Sequence, residues 1–195
     1  ALAYLRVILQ PNDDLAFERI INKPARGIGA KSIEKFQTEA RAKHISLYSA
    51  VEQMLAENKI TGKSKASLQQ LMDNFKEWRM MAAATSADEV ATAVLNDSGY
   101  YEMLKNDSSA EAPGRIENLK ELINVMADTE NYPNLASFME HVSHRVYDVM
   151  RYNYYPFRLL ANKFDINADI LFQFIPDWII ILERAIIKLI IFFAI

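Results

Sequence analysis

The chain has 195 residues, a formal net charge of −3, 51% hydrophobic residues, 24% charged residues and no cysteine. This composition excludes a disordered chain, a general polycation, a disulfide framework and a thiolate zinc site, and it predicts a folded domain with or without an appendage. The chain begins with Ala1 and shows no secretory leader, so we expect a trimmed or fragmentary cytoplasmic protein.

Helical patterns fill the chain and no period-two strand pattern is convincing, so we predict an all-α, multi-helix bundle-like domain. The segment from Ala1 to about Gln10 is typical of a helix end. Asn12 or Asp13 can cap a second helix that carries Leu15 to Ile21.

A sharp Gly27-Ile28-Gly29 turn follows and predicts a helix-hairpin-helix corner. Two glycines around one aliphatic residue permit positive φ and a close approach to another surface. The next helix is predicted from about Ala30, so its free N–H groups would point out of the turn and could bind a phosphate. Many Gly-x-Gly turns only connect two helices, and the turn by itself is a weak signal.

Basic residues surround this turn although the whole chain is acidic. Between residues 19 and 43, Glu34 and Glu39 stand against seven cations, which are Arg19, Lys23, Arg26, Lys31, Lys35, Arg41 and Lys43. A local basic cluster on an acidic chain favours a focused contact with nucleic-acid phosphates.

The helix that begins at Ala30 is predicted to end near Lys43, and Ser46 can cap the next one through Leu55. A later helix is predicted with Leu68, Leu71, Met72 and Phe75 on a single face. The next is predicted from Ser86 to Leu95, where Glu89 would complete a capping box with Ser86. Three more helices are predicted: a short one from Tyr100 to Leu104, one that begins at Pro113 and Arg115, and one that begins at Leu135. The apolar stripes are interpreted as core. Trp78 is expected to cover a core edge, with stacking on a base as the alternative.

Three patches of the chain carry a more specific signal. The first spans residues 1–36 and rests on Tyr4, Leu5, Arg6, Asn12, Asp13, Asp14, Phe17, Arg19, Asn22, Pro24, Arg26, Gly27, Ile28 and Gly29. The second, GRIENLKELINVMAD, rests on Arg115, Glu117, Asn118, Leu119 and Glu121, and the third is LASFMEHVS. In this order the patches resemble superfamily 1 DNA helicases of the UvrD/PcrA/Rep type, and above all their inserted 2B subdomain.

The resemblance implies that residues 1–143 form a 2B-like helical domain, in which residues 1–10 are a remnant of the junction with the motor domain. It implies a sequence-neutral grip on the backbone of double-stranded DNA. The residues to which this role carries over are Gly27, Ile28 and Gly29 through their N–H groups, Lys31 and Ser32 in the first helical turn, and the flanking Arg26, Lys23 and Lys35. In such helicases ATP and magnesium bind other domains, so we expect no cofactor here, no unwinding by this chain alone, and the remaining helicase domains as partners.

Two other patterns are weak signals of a nucleotide-binding site and a metal site. Thr61-Gly62-Lys63-Ser64 matches the second half of a P-loop, but Glu57 stands where the first glycine belongs and the preceding VEQMLA is helical. His141 and His144 could share one helical face with Asp148 and bind a metal. A surface pair is favoured, because no further ligand lies nearby in the sequence.

Residues 144–195 cannot be aligned with the family and are interpreted as a divergent apolar helical tail of a truncated, frame-shifted or split helicase gene. Ile179 to Ile195 is apolar but shorter than the ~20 residues of a spanning helix, and it contains Glu183, Arg184 and Lys188. An amphipathic helix that packs on the domain or on a partner is therefore favoured over a membrane span, and we expect self-association if that helix is uncovered. The alternative function is a non-enzymatic helical interaction or membrane-associated protein.

Overall fold

Residues 1–144 are described in this computed structural model, and they form helices joined by short loops, without a strand. The complete helices of this part are α1 (Leu2–Leu9), α2 (Asp14–Ile20), α3 (Ala30–Lys43), α4 (Leu47–Ala56), α5 (Lys63–Ala82), α6 (Ala87–Asp97), α7 (Tyr100–Lys105) and α8 (Ala112–Met126). Residues 135–144 are also helical. Residues 1–138 form one unit, and residues 139–144 are the described part of a second. The all-α prediction is confirmed for residues 1–144, whereas the domain limit at residue 143 stays a prediction.

Side-chain caps explain where two of the helices begin. The Asp13 carboxylate accepts a hydrogen bond from the N–H of Ala16 at 3.0 Å, and the Ser46 hydroxyl accepts one from the N–H of Ser49 at 3.2 Å. Helix α6 also begins after Ser86 as predicted, but the Ser86 side chain makes no capping hydrogen bond. The capping-box part of that prediction was wrong. Asp88 and Glu89 in the first turn instead place negative charge at the positive end of the helix dipole.

An aromatic cluster forms the centre of the core. The Phe75 ring packs edge-on against Trp78 at 5.1 Å and against Tyr48 at 5.8 Å, and the Phe17 ring meets Tyr48 at 5.4 Å. Trp78 is only 2% exposed, and its indole N–H donates to the Asp97 carboxylate at 3.0 Å. The core prediction is confirmed for this face of α5. Trp78 lies inside the core, not at its edge, and is not available to stack on a base.

The glycine corner between α2 and α3 is fixed to this core at two places. The Ile28 side chain is 1% exposed and anchors the middle of the corner. Pro24 lies against the turn between α6 and α7, since a Cβ added to Gly99 would meet the Pro24 Cγ at 3.8 Å. Because the corner has its own apolar anchor, its direction is set by packing rather than by the turn alone.

Asp13 provides a test of how much its capping interaction stabilises helix α2. Its pKa is lowered first by the N–H of Ala16 and then by Arg6, with which it forms an ion pair. A carboxyl whose pKa is lower in the folded state contributes stability above its unfolded pKa, and that contribution is lost as the pH falls through the folded pKa.

We expect Asp13→Ala to lower the free energy of unfolding by about 1 kcal/mol at pH 7, and Asp13→Asn to lower it less, because asparagine keeps a capping acceptor. Urea unfolding of the full chain measures both. The difference between wild type and Asp13→Ala should shrink as the pH drops below about 4. A difference that is independent of pH would contradict this account of the cap.

Candidate nucleic-acid interface

The Asn22 side chain closes the corner from within. Its Oδ1 accepts a hydrogen bond from the N–H of Arg26 at 2.7 Å and another from the N–H of Ile28 at 3.2 Å. Ile28 therefore has an internal role in both its side chain and its amide. The expectation that the Ile28 N–H faces a phosphate is corrected, because that donor already has a partner inside the protein.

Arg26 also points inward, although we expected it to flank a bound phosphate. Its guanidinium donates to the carbonyl oxygens of Ile20 (2.9 Å), Ile21 (3.3 Å), Pro24 (3.3 Å) and Ser98 (3.3 Å), and to the hydroxyl of Tyr4 (2.7 Å). The Tyr4 hydroxyl in turn donates to the carbonyl of Lys23 at 2.6 Å. Burial raises the pKa of Tyr4, with Arg26 opposing the shift, so Tyr4 stays neutral at physiological pH. Arg26 is thus a brace that joins the corner to α1 and to the turn after α6.

Several main-chain N–H groups of the corner remain without an internal acceptor in the described part of the chain once these hydrogen bonds are counted. Among the hydrogen bonds of residues 1–144, none uses the N–H of Gly27, Gly29, Ala30 or Lys31, and all four residues are exposed. The N–H of Ser32 bonds back to the Gly29 carbonyl at 2.9 Å, and Ser32 is half-buried. The open amides therefore lie at the start of α3, where a helix favours an anion. Ala30 is an addition to the predicted site, and the predicted start of the helix was its only sequence signal.

The two glycines of the corner have different reasons to be glycine. Gly27 has φ +70°, a conformation that disfavours a side chain. Gly29 has φ −83° and ψ 171°, which any residue adopts, and a Cβ added there would meet no atom within 4 Å. Nothing inside the described chain requires glycine at position 29. The absence of a side chain leaves the Gly29 amide open to close approach from outside.

The seven basic residues between positions 19 and 43 are not all available to a ligand. Lys23, Lys31 and Lys35 are exposed beside the corner. Lys43 instead pairs with Glu39 at 3.0 Å and with Glu57 at 3.2 Å. The structure thus brings Lys23, Lys31, Lys35 and the open amides to one end of α3, and it separates Arg26 from them.

The structure places the half P-loop pattern and the histidine pair in helical surroundings. The segment Thr61-Gly62-Lys63-Ser64 follows helix α4, whereas a P-loop follows a strand, and Gly62 simply precedes α5. No cluster of three metal-ligating side chains occurs in residues 1–144. The predicted triple of His141, His144 and Asp148 is only partly testable, because Asp148 lies outside the described residues.

No helix within residues 1–144 has the length and apolarity of a membrane span. The candidate span, Ile179 to Ile195, and the rest of the predicted tail beyond residue 144 lie outside the described residues. Self-association through that tail stays a prediction.

Comparison with known proteins identifies the family to which residues 1–145 are similar. The model of the UvrD-like helicase C-terminal domain family matches residues 1–145, close to the predicted limit of the resemblance at Ser143. A probable DNA helicase II homolog of Rickettsia felis is 39% identical over 142 residues, which cover 73% of this chain and 21% of that protein. The ATP-dependent DNA helicase PcrA of Staphylococcus epidermidis is 39% identical over 154 residues (73% and 20%), and DNA helicase II of Escherichia coli is 30% identical over 149 residues (73% and 21%). The predicted resemblance is confirmed, and the chain spans about a fifth of the length of these relatives.

The inward position of Arg26 predicts a stability defect. We expect Arg26→Ala to lower the free energy of unfolding by about 2–3 kcal/mol, because it leaves the Tyr4 hydroxyl and several partly buried carbonyls without their charged donor. Lys23→Ala, on the exposed side of the same corner, is the matched control and should change stability by no more than about 0.5 kcal/mol. Urea unfolding of the full chain measures both, and equal effects of the two variants would reject the brace.

Proposed function

Because this chain belongs to the UvrD-like helicase C-terminal domain family, we propose that residues 1–143 act as the duplex-binding 2B part of an ATP-dependent 3′-to-5′ DNA helicase. The observation that carries the proposal is the row of open amides at Gly27, Gly29, Ala30 and Lys31, at the start of α3. These donors, together with the exposed ammonium groups of nearby lysines, form a surface complementary to phosphate.

The proposed contact is sequence-neutral. Backbone amides and lysines at a helix start recognise phosphate oxygens, which are the same at every base pair. A sequence-specific contact would require side chains that reach the base edges in a groove. The corner offers main-chain donors and short or flexible side chains, which suits a helicase domain that has to hold any duplex.

Double-stranded DNA suits this surface better than single-stranded DNA. Surfaces that bind single strands combine a basic groove with exposed aromatic rings on which bases stack. The aromatic residues nearest to the corner in sequence, Phe17 and Phe36, are 0% and 3% exposed. A backbone grip without a stacking platform matches the continuous phosphate rail of a duplex.

The rest of the proposed machine would be supplied by other parts of a longer protein. ATP and magnesium would bind there, and those parts would be the protein partners of this domain. This chain would then contribute DNA contact without hydrolysis. The alternative, a membrane-associated interaction protein, gains no support from the described residues, and a cytoplasmic location stays a prediction.

Salt-dependent binding tests the charged part of the proposal. Affinity of the full chain for a duplex of about 20 base pairs should fall as salt rises, because each phosphate contact releases counterions. Lys31→Ala should reduce the slope of log K against log salt by about one. Fluorescence anisotropy at several salt concentrations measures this slope. Lys120→Ala, which removes one lysine from α8, is the control, and equal slopes for the two variants would count against the corner.

Gly29→Ala tests the amides without removing charge. Since position 29 has ordinary φ and open space, alanine should fold normally, with a cost no greater than the ~1 kcal/mol of a weaker helix cap. We expect at least about a tenfold loss of duplex affinity, because the new methyl group would stand between the amides and a phosphate. Gly114→Ala is the matched control, because Gly114 lies in α8 and a Cβ added there would also meet no atom within 4 Å. Unchanged affinity of a folded Gly29→Ala protein would reject the amide contact.

A further inference from the structure

Helix α3 leads from the corner to a second cationic site. Lys35 lies one helical turn beyond Lys31, an advance of about 6 Å along the axis. Its ammonium group approaches the carbonyl oxygen of Lys59 at 3.5 Å. Lys59 belongs to the loop that joins α4 to α5, so this loop, residues 57–62, lies beside α3 immediately past the proposed phosphate contact.

A second ammonium group rests on the same loop. Lys65, in the first turn of α5, donates to the side-chain oxygen of Asn58 at 2.7 Å in a solvent-exposed hydrogen bond. Asn58 and Lys59 are consecutive residues, so the Lys35 and Lys65 ammonium groups approach the same short stretch of this loop. Both ammonium groups contact neutral oxygens, which do not cancel their charges.

The carboxylates around this loop are already neutralised. Glu57 pairs with Lys59 at 2.7 Å and Lys43 at 3.2 Å, and Glu39 pairs with each of these lysines at 3.0 Å. Hydrogen bonds from the same lysines lower the pKa of both glutamates, which therefore stay ionised and bound.

Two cations remain without an acidic partner at this loop. Among the ion pairs of residues 1–144, none includes Lys35 or Lys65. Glu34 is exposed next to Lys35 in the sequence, but it projects about 100° away around α3. Lys35 of α3 and Lys65 of α5 therefore place two positive charges at this loop.

We propose that a duplex held at the corner continues along α3, and that Lys35 and Lys65 contact a second group of phosphates at the loop of residues 57–62. The inference rests on the proposed function and extends it from a point contact to a track. Phosphates of one strand advance 3.4 Å along the duplex axis per nucleotide, so the advance of about 6 Å from Lys31 to Lys35 corresponds to about two nucleotides. Lys65 is the new contact residue, since neither the corner nor the basic run around it contains that position.

Lys65→Ala in the full chain tests the track. The slope of log K against log salt for a duplex of about 20 base pairs should fall by about one, and Lys35→Ala/Lys65→Ala should lower it by about two. Lys65→Arg keeps the charge and should retain the wild-type slope. Lys120→Ala again controls for the loss of one lysine, here from α8, and a Lys65→Ala slope equal to that of Lys120→Ala overturns the inference.

Gly29→Ala separates this inference from the function on which it rests. Weak binding by Gly29→Ala with an unchanged slope in Lys65→Ala would keep the corner and reject the second contact. Loss of slope in Lys65→Ala with normal binding by Gly29→Ala would reject a track that begins at the corner. Effects in both variants support the complete track, and effects in neither reject both proposals.

Discussion

The hydrogen bonds of Asn22 and Arg26 decide which polar groups of the corner remain for a ligand. Asn22 accepts the inward N–H groups of Arg26 and Ile28, and the Arg26 guanidinium binds carbonyls of the residues that lead into the corner. Buried polar groups without partners are costly, so a tight turn must satisfy its inner donors before it can expose others. The outward amides are available because side chains of the same corner hold the rest of the backbone in place.

Charge at this surface depends on pairing more than on the number of basic residues. The segment around the corner is rich in cations, yet Lys43 is committed to glutamates and Arg26 to carbonyls. Exposed ion pairs contribute little to stability, but they remove charge from the field that a polyanion meets. Lys23, Lys31 and Lys35 are exposed at or near the corner, and the proposed route leads from Lys31 and Lys35 to Lys65 at the loop after α4.

Local signals were sufficient to predict helices, and long-range contacts were not predictable. The bounds of α3, the Asp13 and Ser46 caps and the buried face of α5 follow from residues close in sequence, and the structure confirms them. The inward turn of Arg26 depends on Tyr4 and Ser98, which are 22 and 72 positions away. The proposed contact of Lys65 likewise depends on a loop that only folding places beside α3. Sequence reasoning therefore predicted the glycine corner but not which of its hydrogen-bond donors are already used inside the protein.

The corner takes its shape from contacts within the first unit of the chain. Tyr4, Asn22, Ile28 and Ser98 all belong to residues 1–138, and so do both ends of every hydrogen bond that orients Arg26. A chain that spans a fifth of its relatives therefore contains the parts that build this surface. The proposed duplex binding would require only that surface, whereas unwinding would also require a motor to convert ATP hydrolysis into movement. The two proposed activities are physically separable, so DNA binding by this chain can be tested without the remainder of a helicase.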